Sequence, residues 1–67
     1  MKSIAGTNID GETTTWTVGE LVGFKADMEC YGRIEKIVGR ELYLVDVDPS
    51  GNYGQHTAQV PMDRCWK

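Results

Sequence analysis

The segment DVDPSGNYG, residues 46–54, spaces its oxygen-bearing side chains as a calcium-binding EF-hand loop does at its start. Such a loop takes oxygens from positions 1, 3 and 5, a glycine at position 6 and a bidentate glutamate at position 12. Counted from Asp46, position 12 is Thr57, which has no carboxylate, and both flanking segments have strand patterns. Pro49 and Gly51 are favoured at the second and fourth positions of a β-turn. The sequence therefore predicts a turn between strands and no metal site.

Three further side chains have the chemistry of a nucleophile, a base or a zinc ligand: His56, Cys30 and Cys65. Zinc-binding cysteines usually come in close C-x-x-C pairs, whereas these two are 35 positions apart. A nucleophilic thiol needs a helix N-terminus or a cation to lower its pKa, and the sequence predicts no helix. We therefore expect no catalytic residue, no metal and no cofactor. Buried reduced thiols are the expected state of the cysteines, with a bridge between them as the alternative.

Size and charge limit the chain to one small domain. Its 67 residues are 40% hydrophobic and 25% charged, and a domain of this size buries only about 60% of its unfolded surface. The net charge of −3 disfavours nonspecific binding to phosphates. The N-terminal residues lack the apolar run of a signal peptide, and no segment approaches the roughly 20 apolar residues of a membrane span. We expect a cytoplasmic protein without membrane contact.

Short strands must position any functional side chain in this chain. Residues 1–14 contain two glycines and little apolar material, and are predicted to be a flexible N-terminal arm. Residues 15–67 are predicted to form one β-domain, because apolar and polar side chains alternate between turn signals. The predicted strands are residues 19–26, 31–38, 42–47, 55–60 and 64–66. About five short antiparallel strands favour closure into a small barrel, since closure removes exposed edges.

Four short motifs carry a family resemblance. They are a G-x-x-V opening at residues 19–22, a G-x-I strand at 32–34, a Y-x-V strand at 43–45 and a V-P turn at 60–61. This arrangement resembles the SH3-like small β-barrel superfamily, with its KOW-type, Tudor-type and plasmid-type reductase members. The resemblance covers about residues 18–66 and implies an SH3-like barrel.

One class within that superfamily would make the chain an enzyme. Plasmid-type dihydrofolate reductases build their active site in a pore between four identical chains, on a strand that carries Val-Gln-Ile-Tyr. Gln59 is similar in position to that glutamine, but Val60 leads directly into Pro61 and the tyrosine is missing. The resemblance implies a tetrameric, nicotinamide-dependent reductase as an alternative function only.

Without a catalytic constellation, the sequence favours a non-catalytic module that binds a protein partner stoichiometrically, as a monomer or a homodimer. Its acidic balance favours a partner with a basic surface, such as a nucleic-acid-processing enzyme. Small acidic proteins of this sort are common among phage-encoded factors that block host enzymes, so a regulator or inhibitor is the expected role. The predicted protein-binding residues are large aromatics and the charges that flank them: Trp16, Glu29, Tyr31, Asp46, Asp48 and Tyr53.

Direct nucleic-acid binding is the alternative from a different class. Bases stack on exposed aromatic rings, and cations beside those rings contact phosphates. Basic residues concentrate in the middle third of the chain, close to two of the tyrosines. The predicted residues are Tyr31, Arg33, Lys36, Arg40 and Tyr43.

Overall fold

We describe residues 2–48 and 57–67 in a computed structural model of the chain. These residues form β-strands and one short 3₁₀ turn, and they contain no α-helix. The strands are β1 (Ser3–Thr7), β2 (Thr13–Thr17), β3 (Leu21–Lys25), β4 (Glu29–Val38), β5 (Glu41–Asp48), β6 (Ala58–Pro61) and β7 (Cys65–Trp66), with the 3₁₀ turn at Met62–Arg64. The predicted all-β class is confirmed. No helix within the described ranges is long and apolar enough to cross a membrane.

The strands β3 to β7 form one antiparallel sheet in the order β6-β5-β4-β3-β7, which curls into a half-barrel. The sequence predicts these five strands at nearly the same positions. Their alternating pattern places every second side chain on the inner face, where it packs in the core. The inner-face residues include Val22, Phe24, Ile34, Leu42 and Leu44.

The N-terminal segment, which the sequence predicts to be a flexible arm, contains strand β1 and the start of β2. Strands β1 and β2 pair along their whole length as an antiparallel hairpin. In the connection, the Asn8 side-chain oxygen accepts the backbone N–H groups of Asp10 and Glu12, and Gly11 has a φ of 81°. An Asx turn followed by a glycine with positive φ is a chemically favoured chain reversal. The predicted boundary between residues 14 and 15 therefore falls inside β2.

The hairpin is held against the sheet by Trp16. This side chain is 0% exposed, and its Nε1 donates a hydrogen bond of 3.3 Å to the carbonyl oxygen of Gly6. Burying a large apolar side chain completely contributes about 1.5–3 kcal/mol, which offsets part of the entropy of ordering the hairpin. The backbone N–H of Ile9 also donates to the carbonyl of Cys65 at 3.0 Å, which joins the hairpin to β7.

Two bulges shape the pairing of β4 with β5. Tyr31 pairs with Asp48 and Arg33 pairs with Val45, so two residues of β5 lie opposite one residue of β4. One of the two is Asp46, which has a φ of 54°. An extra residue in the left-handed conformation bends a strand and changes which face the next side chain occupies. Because of this bulge, Val45 pairs with Arg33 and Asp48 pairs with Tyr31 in the same sheet.

The two cysteines are buried and free. Both pair with Phe24, Cys30 from β4 on one side and Cys65 from β7 on the other. They are therefore two strand spacings apart, or roughly 10 Å, which exceeds the Cα separation of about 7 Å that a disulfide permits. The predicted reduced state fits this geometry, and the alternative of a bridge does not.

Candidate functional site

The candidate site lies on the outer face of the sheet, around the middle of β3. Val22 and Phe24 point into the core, so Leu21, Gly23 and Lys25 face the other way. Gly23 pairs on one side with Tyr31 of β4 and on the other with Trp66 of β7. The register thus places two aromatic residues on either side of a glycine.

The rings of Tyr31 and Trp66 meet over Gly23. A Cβ atom at this position would lie 2.5 Å from Nε1 of Trp66 and 2.9 Å from Cε2 of Tyr31, which is closer than real Cβ contacts. Glycine therefore allows both rings to close over the strand. The rings pack edge to face, with centroids 6.2 Å apart and planes at 90°. This is a favoured aromatic geometry, which fixes the orientation of both side chains.

The ring pair continues into an aliphatic side chain. Leu21 lies two residues before Gly23 on the same outer face, diagonal to Tyr31 across the strand pair. It is 52% exposed, and Tyr31 is 39% exposed. We call Leu21, Tyr31 and Trp66 the aromatic patch. A single exposed leucine is ordinary in a soluble protein, but an exposed leucine next to an exposed ring and a partly exposed one marks a candidate interaction site.

Acidic side chains border the aromatic patch. Asp48 of β5 is the direct cross-strand partner of Tyr31, and Glu29 lies two residues before Tyr31 on the same face of β4. On the side of β3, Lys25 is the cross-strand partner of Glu29, so opposite charges face each other there. Asp46 is exposed at the bulge next to Asp48.

The structure brings together part of the predicted protein-binding set. Glu29, Tyr31 and Asp48 are neighbours on two adjacent strands, and Asp46 is close to them along β5. Trp16, which was also predicted to bind the partner, does not belong to this surface. It is completely buried as the core residue of the hairpin, so it is not a surface anchor. Tyr53 lies in residues 49–56, outside the described residues, as do His56 and most of the predicted turn.

The predicted nucleic-acid residues follow β4 towards its far end. Arg33 donates to the carbonyl oxygen of Gly19 at 3.3 Å, and the Lys36 ammonium lies 4.8 Å from the centre of the Tyr43 ring. Arg40 is exposed in the turn between β4 and β5, beyond the pairing of Lys36 with Tyr43.

A groove of about 420 Å³ lies beside Lys36 and Tyr43 and is also lined by Glu35 and Gln59. The Gln59 amide donates to Glu41 at 3.4 Å. Carboxylates thus alternate with the cations along this surface, which weakens its attraction for phosphates.

Sequence reasoning missed two members of the aromatic patch. Neither Trp66 nor Leu21 is among the predicted binding residues. The partial exposure of Trp66 and its pairing with Gly23 place it on the outer face, where Leu21 also lies. The signal that could have found both is the small residue between them: an outward-facing glycine in a strand indicates that another group approaches closely.

The thiol of Cys65 has the wrong protonation state for a nucleophile at neutral pH. Burial raises its pKa from 9.0 to about 11, and the nearby charges of Asp63 and Glu41 act in the same direction. Its Sγ donates to the carbonyl of Pro61 at 3.4 Å. Among the described residues, no three side chains of the metal-binding types come close enough to hold an ion.

Comparison with known proteins adds no relative from which a function could be transferred. No protein-family model, no curated protein and no solved structure matches the chain.

Proposed function

We propose that this protein is a small non-catalytic module that binds a protein partner stoichiometrically through the aromatic patch. The observation that carries the proposal is the contiguity of Leu21, Tyr31 and Trp66 on the outer face, with Gly23 beneath them. Large aromatic side chains that are already ordered lose little entropy on binding, and they are the usual anchors of protein interfaces.

A basic surface on the partner fits the charges around the patch. The chain carries a net charge of −3, and Glu29 and Asp48 lie directly beside Tyr31. Charge complementarity of this kind raises association rates and selects among partners. Nucleic-acid-processing enzymes have basic surfaces of this kind. The proposal therefore includes a role as a regulator or inhibitor of such an enzyme, of the phage-encoded type.

An SH3-like assignment of the half-barrel is part of the same proposal. In its support, five consecutive strands follow one another from β3 to β7, and the short 3₁₀ turn lies between the last two of them. The aromatic patch lies on the outer face of the half-barrel whether or not the fold is SH3-like.

Nucleic-acid binding is a second candidate, and the contact between Lys36 and Tyr43 favours it. A cation 4.8 Å from an aromatic ring, beside a groove, is an arrangement that can stack a base and contact a phosphate. Glu35 lines the same groove and opposes that binding. The two candidates use different surfaces, so one experiment can separate them.

Site-specific photocross-linking tests the proposal. A benzoylphenylalanine at position 31 would be compared with one at Glu12, an exposed residue of the hairpin connection. In nuclease-treated lysate of the source cells we expect a discrete protein adduct from position 31 and none from position 12. Equal labelling from both positions would contradict the proposal. An adduct that requires intact nucleic acid would instead favour the second candidate, with Lys36 and Tyr43 as the first residues to change.

A further inference from the structure

The two rings of the aromatic patch form a corner. Tyr31 and Trp66 stand at 90° to each other with their centroids 6.2 Å apart, above a glycine that adds no side chain between them. Tyr31 keeps 39% of its surface exposed, so the corner is open to solvent. Aromatic faces carry partial negative charge and attract cations that approach within about 6 Å of the ring centre.

Carboxylates add to the negative potential at this corner. Asp48 is the direct cross-strand partner of Tyr31, and Glu29 is its neighbour two residues back on the same face. A group that binds here meets π faces and carboxylates together. That combination suits a planar cation better than an ammonium ion, because a guanidinium can stack on a ring while it donates two parallel hydrogen bonds to a carboxylate.

Two of the protein's own cations lie over other rings, and Lys25 faces Glu29. Lys36 lies over Tyr43 at 4.8 Å, and Lys67 lies over Trp16 at 5.6 Å. Arg33, the basic residue closest to Tyr31 along β4, donates to the carbonyl of Gly19 instead. Within residues 2–48 and 57–67, neither of these cation–π contacts involves the corner formed by Tyr31 and Trp66. The corner is thus open to a cation from another molecule.

We propose that this corner binds an arginine side chain presented by the protein partner. The inference depends on the proposed function and specifies its chemistry: the guanidinium stacks in the corner of Tyr31 and Trp66, and Asp48 pairs with it. A phosphate-bearing ligand does not fit, since Asp48 and Glu29 would repel it. A neutral apolar side chain would leave Asp48 without a charge partner, whereas Glu29 already faces Lys25 across the strand pair.

Nuclear magnetic resonance titration with N-acetylarginine amide provides the test. The chain has two indole N–H resonances: Trp66 reports on the corner, and Trp16 is a buried internal control whose N–H bonds to Gly6. We expect a saturable shift of the Trp66 resonance and none at Trp16. N-acetylcitrulline amide has almost the same shape without the charge. We expect its affinity to be lower by about tenfold or more. Equal shifts with both compounds would overturn the proposal.

A matched pair of variants separates the local carboxylate from the overall charge. Asp48→Asn and Glu35→Gln each remove one carboxylate charge, but Glu35 is exposed four residues further along β4 than Tyr31, beside the groove at Lys36 and Tyr43. We expect Asp48→Asn to weaken arginine binding about three- to tenfold and Glu35→Gln to leave it nearly unchanged. Equal weakening in the two variants would show a nonspecific charge effect and would contradict the inference.

The remaining outcomes distinguish this inference from the proposed function. If arginine amide leaves Trp66 unshifted while position 31 still cross-links to a protein, the arginine inference fails and the proposed function stands. If the cross-link is absent, the proposed function fails, whatever the titration gives. A Trp66 shift that follows protein concentration in the absence of any ligand would indicate a second copy on the patch, which also overturns the arginine inference.

Discussion

The two tryptophans differ in their surroundings: Trp16 of the hairpin packs in the core, whereas Trp66 lies on the outer face of the five-stranded sheet. Trp16 is 0% exposed, its indole N–H is bonded to Gly6, and a whole hairpin folds to bring it to the core. Trp66 is partly exposed on the outer face, where it lies against a glycine and another ring. Trp16 is thus completely covered by the protein, whereas Trp66 packs on its neighbours and keeps part of its surface in contact with solvent.

This difference separates the residues that hold the fold from those that can recognise a partner. A ring whose polar atom is satisfied internally and whose surface is fully covered contributes to stability alone. A ring fixed from below and open above is ready to bind at low entropic cost. The two roles predict different responses to the same mutation.

The largest expected effect is that of Trp16→Ala. Removing a buried aromatic side chain costs about 3–5 kcal/mol, a large part of the total stability of a domain this small. Trp66→Ala should cost less, about 1–2 kcal/mol, because this side chain is only partly buried and packs on Gly23 and one neighbouring ring. Urea unfolding followed by far-ultraviolet circular dichroism would measure both. Equal losses in the two variants would contradict the division into core and surface tryptophans.

The neighbouring residue Cys65 extends the comparison to pH. Its thiol faces the core, directly before the outward-facing Trp66, and its pKa of about 11 in the folded state exceeds the ordinary value of 9.0. Between pH 9 and 11 the unfolded chain therefore loses this proton while the folded chain keeps it. Stability from this group is complete below pH 9 and falls by about 2 kcal/mol as the pH rises to 11.

The matched variant for this prediction is Cys65→Ala, which removes the titrating group. The relevant quantity is the difference in slope between the two proteins, because every other group is common to both. We expect the variant's stability, measured by urea unfolding from pH 8 to 11, to decline less steeply. Parallel slopes would show that the thiol is solvated in the folded state, contrary to its complete burial.

Much of the sheet could be predicted because each of its strands obeys a local rule. Alternation marks β3, β4 and β5, and glycine and proline mark the ends of strands. The N-terminal hairpin could not be recognised in this way, since its strands contain many threonines and few apolar residues. Its stability comes from the burial of Trp16 against the sheet, which is a tertiary effect. The local signal for this hairpin is the Asp10-Gly11 pair, which is typical of a tight turn.

The candidate site was only partly predictable for a similar reason. Glu29, Tyr31 and Asp48 were selected by residue type, and the pairing of β4 with β5 makes them neighbours. Trp66 joins them through strand order, because β7 pairs with β3 although many residues separate the two in sequence. Strand order is a property of the whole fold, so no local pattern around Trp66 could reveal its partner.

Gly23→Ala tests whether the lack of a side chain at position 23 determines how the rings of Tyr31 and Trp66 pack. The added Cβ would meet Trp66 at 2.5 Å and Tyr31 at 2.9 Å, so at least one ring must move. We expect a loss of about 1–3 kcal/mol in the free energy of unfolding, together with a changed Trp66 indole resonance. Gly39→Ala is the control: it introduces strain at a φ of 61° but meets no atom within 4 Å. It should cost about 1 kcal/mol and leave the Trp66 resonance unchanged. An unaltered Trp66 signal in Gly23→Ala would mean that the rings do not rest on the glycine.

The smallest effects are expected at Asp46, where the bulge determines which β5 side chains face outward. Asp tolerates the left-handed conformation at a φ of 54° better than most residues, but glycine tolerates it best. Asp46→Gly should therefore change stability by no more than about 0.5 kcal/mol, whereas Asp46→Val should cost about 1–2 kcal/mol. The bulge also sets the register of Asp48 opposite Tyr31, so only the valine variant should shift the Tyr31 resonances. Equal stabilities and unchanged spectra in both variants would show that Asp46 is not held in this conformation in solution. The acidic border of the aromatic patch would then be set by a different register.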